Sequence, residues 1–154
     1  MRERASVEGL RELDRALGEL PKATGKNVLR RVLLKAGEPM AADMRRKAPD
    51  DPDTGGNDLR SSIGVGTKLS KRQAQQHGKM FRDDKASAEL FVGAGPLPHA
   101  HLQEFGTVNH APQPFARPAW DANKDAALET IATQLGAEIA KAAKRLAKKA
   151  ARGR

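Results

Sequence analysis

The 154-residue chain has no cysteine and no tyrosine. Disulfides and thiolate metal sites are excluded, and a reducing compartment suits such a chain. Aromatic residues are scarce: four phenylalanines and one tryptophan. No apolar run approaches the ~20 residues needed to span a bilayer, so no membrane partner is expected. The first residues, Met1 to Ser6, lack the apolar stretch of a signal peptide, and the expectation is a soluble protein, cytoplasmic at synthesis. Hydrophobic residues make up 38% of the chain, many of them alanine. Alanine buries little area, so the length implies one domain with a modest core. Burial against copies of itself or against a partner would strengthen it.

Charge is abundant and uneven. The formal net charge is +9. Residues 141–154 carry seven basic groups and no acidic one, whereas residues 119–140 carry one basic and four acidic groups. The excess is a C-terminal feature that includes Lys141, Lys144, Arg145, Lys148, Lys149 and Arg152. Such a run meets nucleic acid or an acidic protein face, or it is a solvated helix end whose cations suit the helix dipole. The domain is accordingly placed at 1–140, with 141–154 as a basic helix end or tail.

Periodicity outlines the elements. Leu10, Leu13, Leu17 and Leu20 form one stripe of a helix from Val7 to Leu20, with Ser6 as N-cap and Pro21 as its end. A second helical pattern covers Lys26–Lys47 through Leu29, Leu33, Ala36, Met40 and Met44. Pro39 interrupts it, so either the helix kinks there or two helices abut near Gly37. The short link at Pro21 predicts that the first two helices form a hairpin. Residues 48–58 are turn chemistry throughout; their aspartates lack the spacing and closing glutamate of an EF-hand. Ile63, Val65, Thr67 and Leu69 alternate with polar or glycine neighbours, which predicts a strand over 61–69. Residues 86–94 alternate similarly, and the two strands should pair antiparallel. Between them Ser70–Lys85 is polar and basic, with Lys71, Arg72, Lys79 and Arg82. It is either a disordered insertion or an arm that orders on a partner.

The stretch His101–Trp120 concentrates what the chain otherwise lacks. It holds Phe105, Phe115 and Trp120 of the five aromatics, and Pro112, Pro114 and Pro118 stiffen the path between them. The three aromatics are expected as buried anchors. Ala100–Phe105 should be a short helix ending at Gly106, a suitable C′ glycine, with Gly106-Thr107 as the corner. Residues 109–116 should be extended, as a third strand or a sheet edge. Glu104 is a charge among apolar neighbours and needs a partner; Arg117 is the nearest candidate. The last helix should begin near Pro118 and reach about Ala151, with Leu128, Ile131, Leu135, Ile139, Ala142 and Leu146 on one stripe. It is longer than a small domain covers, so its distal half should project or pack on a neighbouring subunit. The fold class is α+β: an N-terminal helical hairpin, a small antiparallel sheet and a long C-terminal helix with a basic end.

No motif of catalysis is present. His99, His101 and Glu104, with His110 nearby, are metal-capable residue types, but their spacing matches neither one helix face nor one strand face. Ser61, Ser62, Ser70 and Ser87 lack a nucleophile elbow, and Gly64 and Gly66 lack the Lys-Ser/Thr of a phosphate loop. Neither an enzyme activity nor a cofactor is expected.

Two segments carry a family likeness. One is Ala48-Pro49, Thr54-Gly55 and Leu59-Arg60-Ser61-Ser62-Ile63. The other is Ala100-His101-Leu102-Gln103-Glu104-Phe105-Gly106-Thr107 followed by Ala111-Pro112-Gln113-Pro114-Phe115-Ala116-Arg117-Pro118-Ala119. Together they resemble the tail-component family of long-tailed bacteriophages, typified by a lambdoid coliphage: small neck or tail-completion proteins of the head–tail junction. Gly56, Asn57 and Asp58 intervene before Leu59 where the family has one residue, and His99 stands where an aromatic is frequent.

The resemblance implies a non-enzymatic virion protein, assembled in the bacterial host cytoplasm, that forms a ring joining the portal or connector to the tail tube. A hexamer is the first expectation, because the tail tube is commonly six-fold; a portal-matched dodecamer is the second. The partners implied are an adjacent connector or stopper and a tail-tube or terminator protein, with passive contact to genomic DNA. Tail terminator and head-closure stopper are the alternative jobs within that reading. Outside it, the alternative is a basic, DNA-binding architectural protein.

Overall fold

A computed structural model describes residues 9–50, 53, 59–81 and 88–153. The elements run α1 (Leu10–Gly18), α2 (Lys22–Lys47), α3 (Leu59–Ser62), β1 (Gly64–Gly66), α4 (Lys71–Met80), β2 (Phe91–Gly93), α5 (Ala100–Phe105) and α6 (Ala116–Arg152). The class is α+β, mostly helical, with one two-stranded antiparallel sheet and a long final helix.

Two long helices organise the rest. Val28 and Val32 of α2 pack with Leu135, Ile139 and Ala142 of α6, while Met40, Ala41 and Met44 pack with Phe115 and Ala119. The pairing of early α2 with late α6, and late α2 with early α6, makes them antiparallel. Leu13, Leu17 and Leu20 close the first cluster, so α1 touches both α2 and α6. That is more than a simple hairpin with α2. The helix starts at Leu10, preceded by Gly9 at φ 82°; Ser6 and Val7 lie outside the described residues.

α2 starts at Lys22, four residues before the expected Lys26, and runs unbroken to Lys47 through Pro39. It is not two abutting helices. Pro39 and Lys35 are both exposed, so water can serve the Lys35 carbonyl that lost its donor. Gly37, two residues before, has a different task. A Cβ there would lie 3.1 Å from Val65 and Val92 and 3.2 Å from Leu90. The missing side chain lets the sheet settle directly on α2. The strands pair in the register Gly64–Gly93, Val65–Val92 and Gly66–Phe91.

Three sequence expectations change here. The stretch 61–69 is not one strand: residues 59–62 are helical, and only 64–66 pair. The motif residues Leu59 and Ile63 are buried at that helix-to-strand transition. The segment after Ser70 is helix α4, started by a capping box in which Ser70 and Gln73 satisfy each other's backbone N–H groups. Residues 111–115 form no strand; among the described residues the only pairing nearby is the single bridge Thr107–His110.

α6 spans 37 residues, roughly 55 Å at 1.5 Å per residue. Its distal half does not simply project. Leu135, Ile139 and Ala142 are buried and Leu146 is half-buried, so α6 stays on its own α2 and α1 for most of its length; residues 147–153 are exposed.

Candidate assembly surface

The segment His101–Trp120 is a closed corner between two helices. α5 ends at Gly106, whose φ of 76° suits glycine. A Cβ there would sit 2.8 Å from both the His110 carbonyl oxygen and the Pro112 nitrogen, so the following turn folds back against it. Thr107 and His110 exchange backbone hydrogen bonds of 2.8 and 3.3 Å, and the Asn109 N–H donates to Thr107 Oγ1. The returning chain runs beside α5, with the Gln113 N–H donating to the Gln103 carbonyl at 2.7 Å. Pro112, Pro114 and Pro118 then lead into α6. Pro118 falls in the first turn, where an N–H has no intrahelical acceptor.

Glu104 locks this corner. Its carboxylate accepts from the backbone N–H groups of Phe115 at 2.7 Å, Ala116 at 2.9 Å and Arg117 at 2.9 Å. α6 has no side-chain cap of its own at Phe115, and Glu104 supplies one from 11 residues upstream. Burial alone would push its carboxyl up; the three backbone donors and the Arg117 charge outweigh that and hold it below its ordinary value. Its direct partners are the helix N-terminus and not the Arg117 guanidinium. That guanidinium lies 5.5 Å from the centre of the Phe105 ring, a cation–π distance.

The three aromatics separate. Phe115 is 2% exposed and packs with Met44, Ile63 and Ala119. Phe105 and Trp120 are not buried anchors: they are 65% and 55% exposed. The last residue of α5 and the fifth residue of α6 both face outward, because the corner is closed by backbone bonds and by Phe115. Leu102 and Val108 are exposed beside them in sequence. Phe105 and Trp120 flank an open groove of about 430 Å³ that reaches Met44, Val92, Ala94 and Phe115. Exposed aromatic side chains flanking such a groove mark interaction surfaces.

A model of the family described as "Bacteriophage HK97-gp10, putative tail-component" matches residues 11–106, more than half of the chain. The chain belongs to this phage tail-component family. The comparisons with curated proteins and with solved structures find no match. The family is one of virion structural components, so this tail component has other virion proteins as its neighbours. The matched span covers α1 to α5 and ends at Gly106, the corner just described.

Within the matched span, the first motif of the tail component is a clamp. Arg60 donates through Nε to the Ala48 carbonyl at 2.9 Å and pairs with Asp50 at 3.1 Å. It thereby ties the end of α2 to α3, while Arg45 donates to the Ile63 carbonyl at 3.0 Å. Thr54 and Gly55 lie outside the described residues. A functional carboxylate that the sequence motifs do not include is Asp43. This buried carboxylate accepts from Arg46 at 2.7 Å, Lys47 at 2.6 Å and Asn123 of α6 at 3.0 Å, and Asn123 also donates to the Ala119 carbonyl. The hydrogen bonds from Arg46 and Lys47 outweigh burial and hold its carboxyl near 2, against an ordinary 3.8. The i+3 and i+4 cations were visible in sequence; the reach across to α6 was not.

The basic residues of the tail component divide into two groups. Lys71, Arg72 and Lys79 are exposed on α4, and Arg82 lies outside the described residues. α4 has no buried residue and is held by His77, which lies between the Phe81 and Phe91 rings and faces Glu89 at 3.8 Å. Lys141, Lys144, Arg145, Lys148, Lys149 and Arg152 are all exposed along α6. Lys141 pairs with Glu138, which also meets Arg31 at 3.5 Å. Those contacts, led by the Lys141 hydrogen bond, hold the Glu138 carboxyl below its ordinary value. His99 and His101 stand at the start of α5, and His110 faces Gln103 at 3.3 Å. Among the described residues, no three His, Asp or Glu side chains form a metal-binding group. No described helix is long and apolar enough to cross a membrane.

Proposed function

We propose that this tail component is a subunit of the head–tail junction, a neck or tail-completion ring between the portal or connector and the tail tube. The reading is supported above all by Phe105 and Trp120. Aromatics standing in water on a rigidly closed corner resemble the anchors of protein interfaces, where they supply most of the binding energy. The corner is fixed through Glu104 and Gly106, so presenting them costs little further ordering.

Ring closure needs a second, different face on the same subunit. α4 supplies it. At ten residues it falls short of the ~12–15 that let an isolated helix persist in water, and none of its residues is buried. Met80 and Phe81 at its end are 76% and 47% exposed. In the assembled ring, α4 of one subunit covers the Phe105–Trp120 groove of the next. Six subunits match the tail tube; twelve would match the portal. Tail terminator and head-closure stopper use the same kind of ring at neighbouring positions. Residues 141–154 form a functional basic end to a 1–140 domain.

Native mass spectrometry of the full chain, alone and with the tail-tube protein, tests this. A closed six-subunit species is expected, and Phe105→Asp with Trp120→Asp should return it to monomer. A wild-type chain that stays monomeric in both conditions overturns the ring.

A further inference from the structure

We propose that the cleft between the N-terminal half of α2 and the C-terminal half of α6 is a groove for the phosphate backbone of double-stranded DNA. In sequence, the run of cationic side chains unbroken by an acidic one is the C-terminal stretch 141–154. Folding adds α2 to them. Thr24, Asn27, Arg30 and Arg31 line one wall of the cleft, and Arg145 and Lys149 stand on the other, with Ala142 and Leu146 between. The cleft measures about 510 Å³. The spacing of three and four residues on each helix aligns these groups along the cleft, roughly 5–6 Å from one to the next.

The chemistry favours nucleic acid over an acidic protein. Arg31 has Glu138 as a partner, but among the described residues Arg30, Arg145 and Lys149 form no ion pair. The neutral residues of the α2 wall, Thr24 and Asn27, carry further hydrogen-bond donors, and such groups serve phosphate oxygens. A protein partner would be anchored by apolar or aromatic side chains. Among the described residues the large exposed ones are Leu34, Met80, Phe81, Leu102, Phe105, Val108 and Trp120, and none of them lines the cleft, where Leu146 is half-buried. No aromatic ring lines the cleft, so there is no stacking platform for unpaired bases. Contact with duplex phosphates, indifferent to sequence, is what remains.

Fluorescence anisotropy of the full chain with a labelled 30-base-pair duplex, at several salt concentrations between 50 and 200 mM, tests the groove. Wild type should bind with an affinity that falls steeply with salt. The double variant Arg30→Ala, Arg145→Ala should bind roughly tenfold or more weakly, with a log–log salt slope shallower by about two, because two phosphate contacts are gone. Arg11→Ala with Arg15→Ala, exposed on α1 and outside the cleft, should change little. Circular dichroism and native mass of each variant separate a lost contact from lost folding or assembly. The proposal is overturned if wild type does not bind duplex at 50 mM salt, or if the Arg30/Arg145 variant binds like wild type. It is equally overturned if a single strand binds more tightly than duplex, or if poly-glutamate binds where duplex does not.

Discussion

Replacing Glu104 by alanine removes three charge-assisted hydrogen bonds from the start of α6. An N-cap residue is worth about 1 kcal/mol, and an anion at a helix N-terminus a further ~0.3–1 kcal/mol. The Phe115 N–H belongs to a buried residue. Stranded without an acceptor, it adds about 1–3 kcal/mol. These contributions overlap, so the expected loss is about 3 kcal/mol, a large share of a typical 5–15 kcal/mol. Glu104→Gln keeps an acceptor oxygen and should lose about half as much, since only the charge and part of the geometry go. Urea unfolding followed by circular dichroism measures both. The pH dependence gives a second check. The carboxyl is held below its ordinary 4.5 in the folded state, so its contribution is complete above the unfolded value and disappears as pH falls through the folded one. The gap between parent and Glu104→Gln should therefore be constant above about pH 5 and narrow on acidification. Stability of Glu104→Ala within about 0.5 kcal/mol of the parent would refute the capping role.

Other perturbations follow from the same geometry. Gly106→Val puts a branched side chain where even a Cβ meets backbone at 2.8 Å; no soluble folded protein, or no tailed particles from a complementation assay, is expected. Phe115→Ala should cost about 3–5 kcal/mol in a denaturation experiment, because the ring is fully enclosed. Asp43 should titrate near 2 by carboxyl NMR. Its link between α2 and α6 stabilises the fold above its unfolded value of 3.8 and is lost as pH falls from there towards 2. Trp120→Asp should leave the melting temperature nearly unchanged but abolish self-association in sedimentation experiments, since the side chain stands outside the core.

The parts of the fold that were legible are those with local signals. The leucine stripe of α1, the Met40 and Met44 side of α2 and the Leu135–Ile139–Ala142 stripe of α6 follow the 3.6-residue period. Gly106 marked the end of α5 because few residues other than glycine take that φ. α4 was overlooked because its sequence has no apolar period, although Ser70 and Gln73 stand at capping-box spacing. Residues 109–116 read as a strand because proline enforces extended geometry; proline also withholds the donors a ladder requires. Phe105 and Trp120 show the limit of composition. An aromatic destined for a core and one destined for an interface are the same residue, and only the closure of the corner over Phe115 separates them. Glu104, Asp43 and the Arg30–Arg145 cleft depend on partners between 11 and 115 residues away, a separation that no local pattern records.

The central claim is that the Glu104–Trp120 corner presents an assembly face of a junction ring. An image reconstruction of the tailed particle with this subunit placed tests it most directly. The prediction is one closed ring at the head–tail junction, with Phe105 and Trp120 of each subunit covered by α4 of the next. Subunits repeated along the tail tube, or a junction ring in which Phe105 and Trp120 still face solvent, would contradict it.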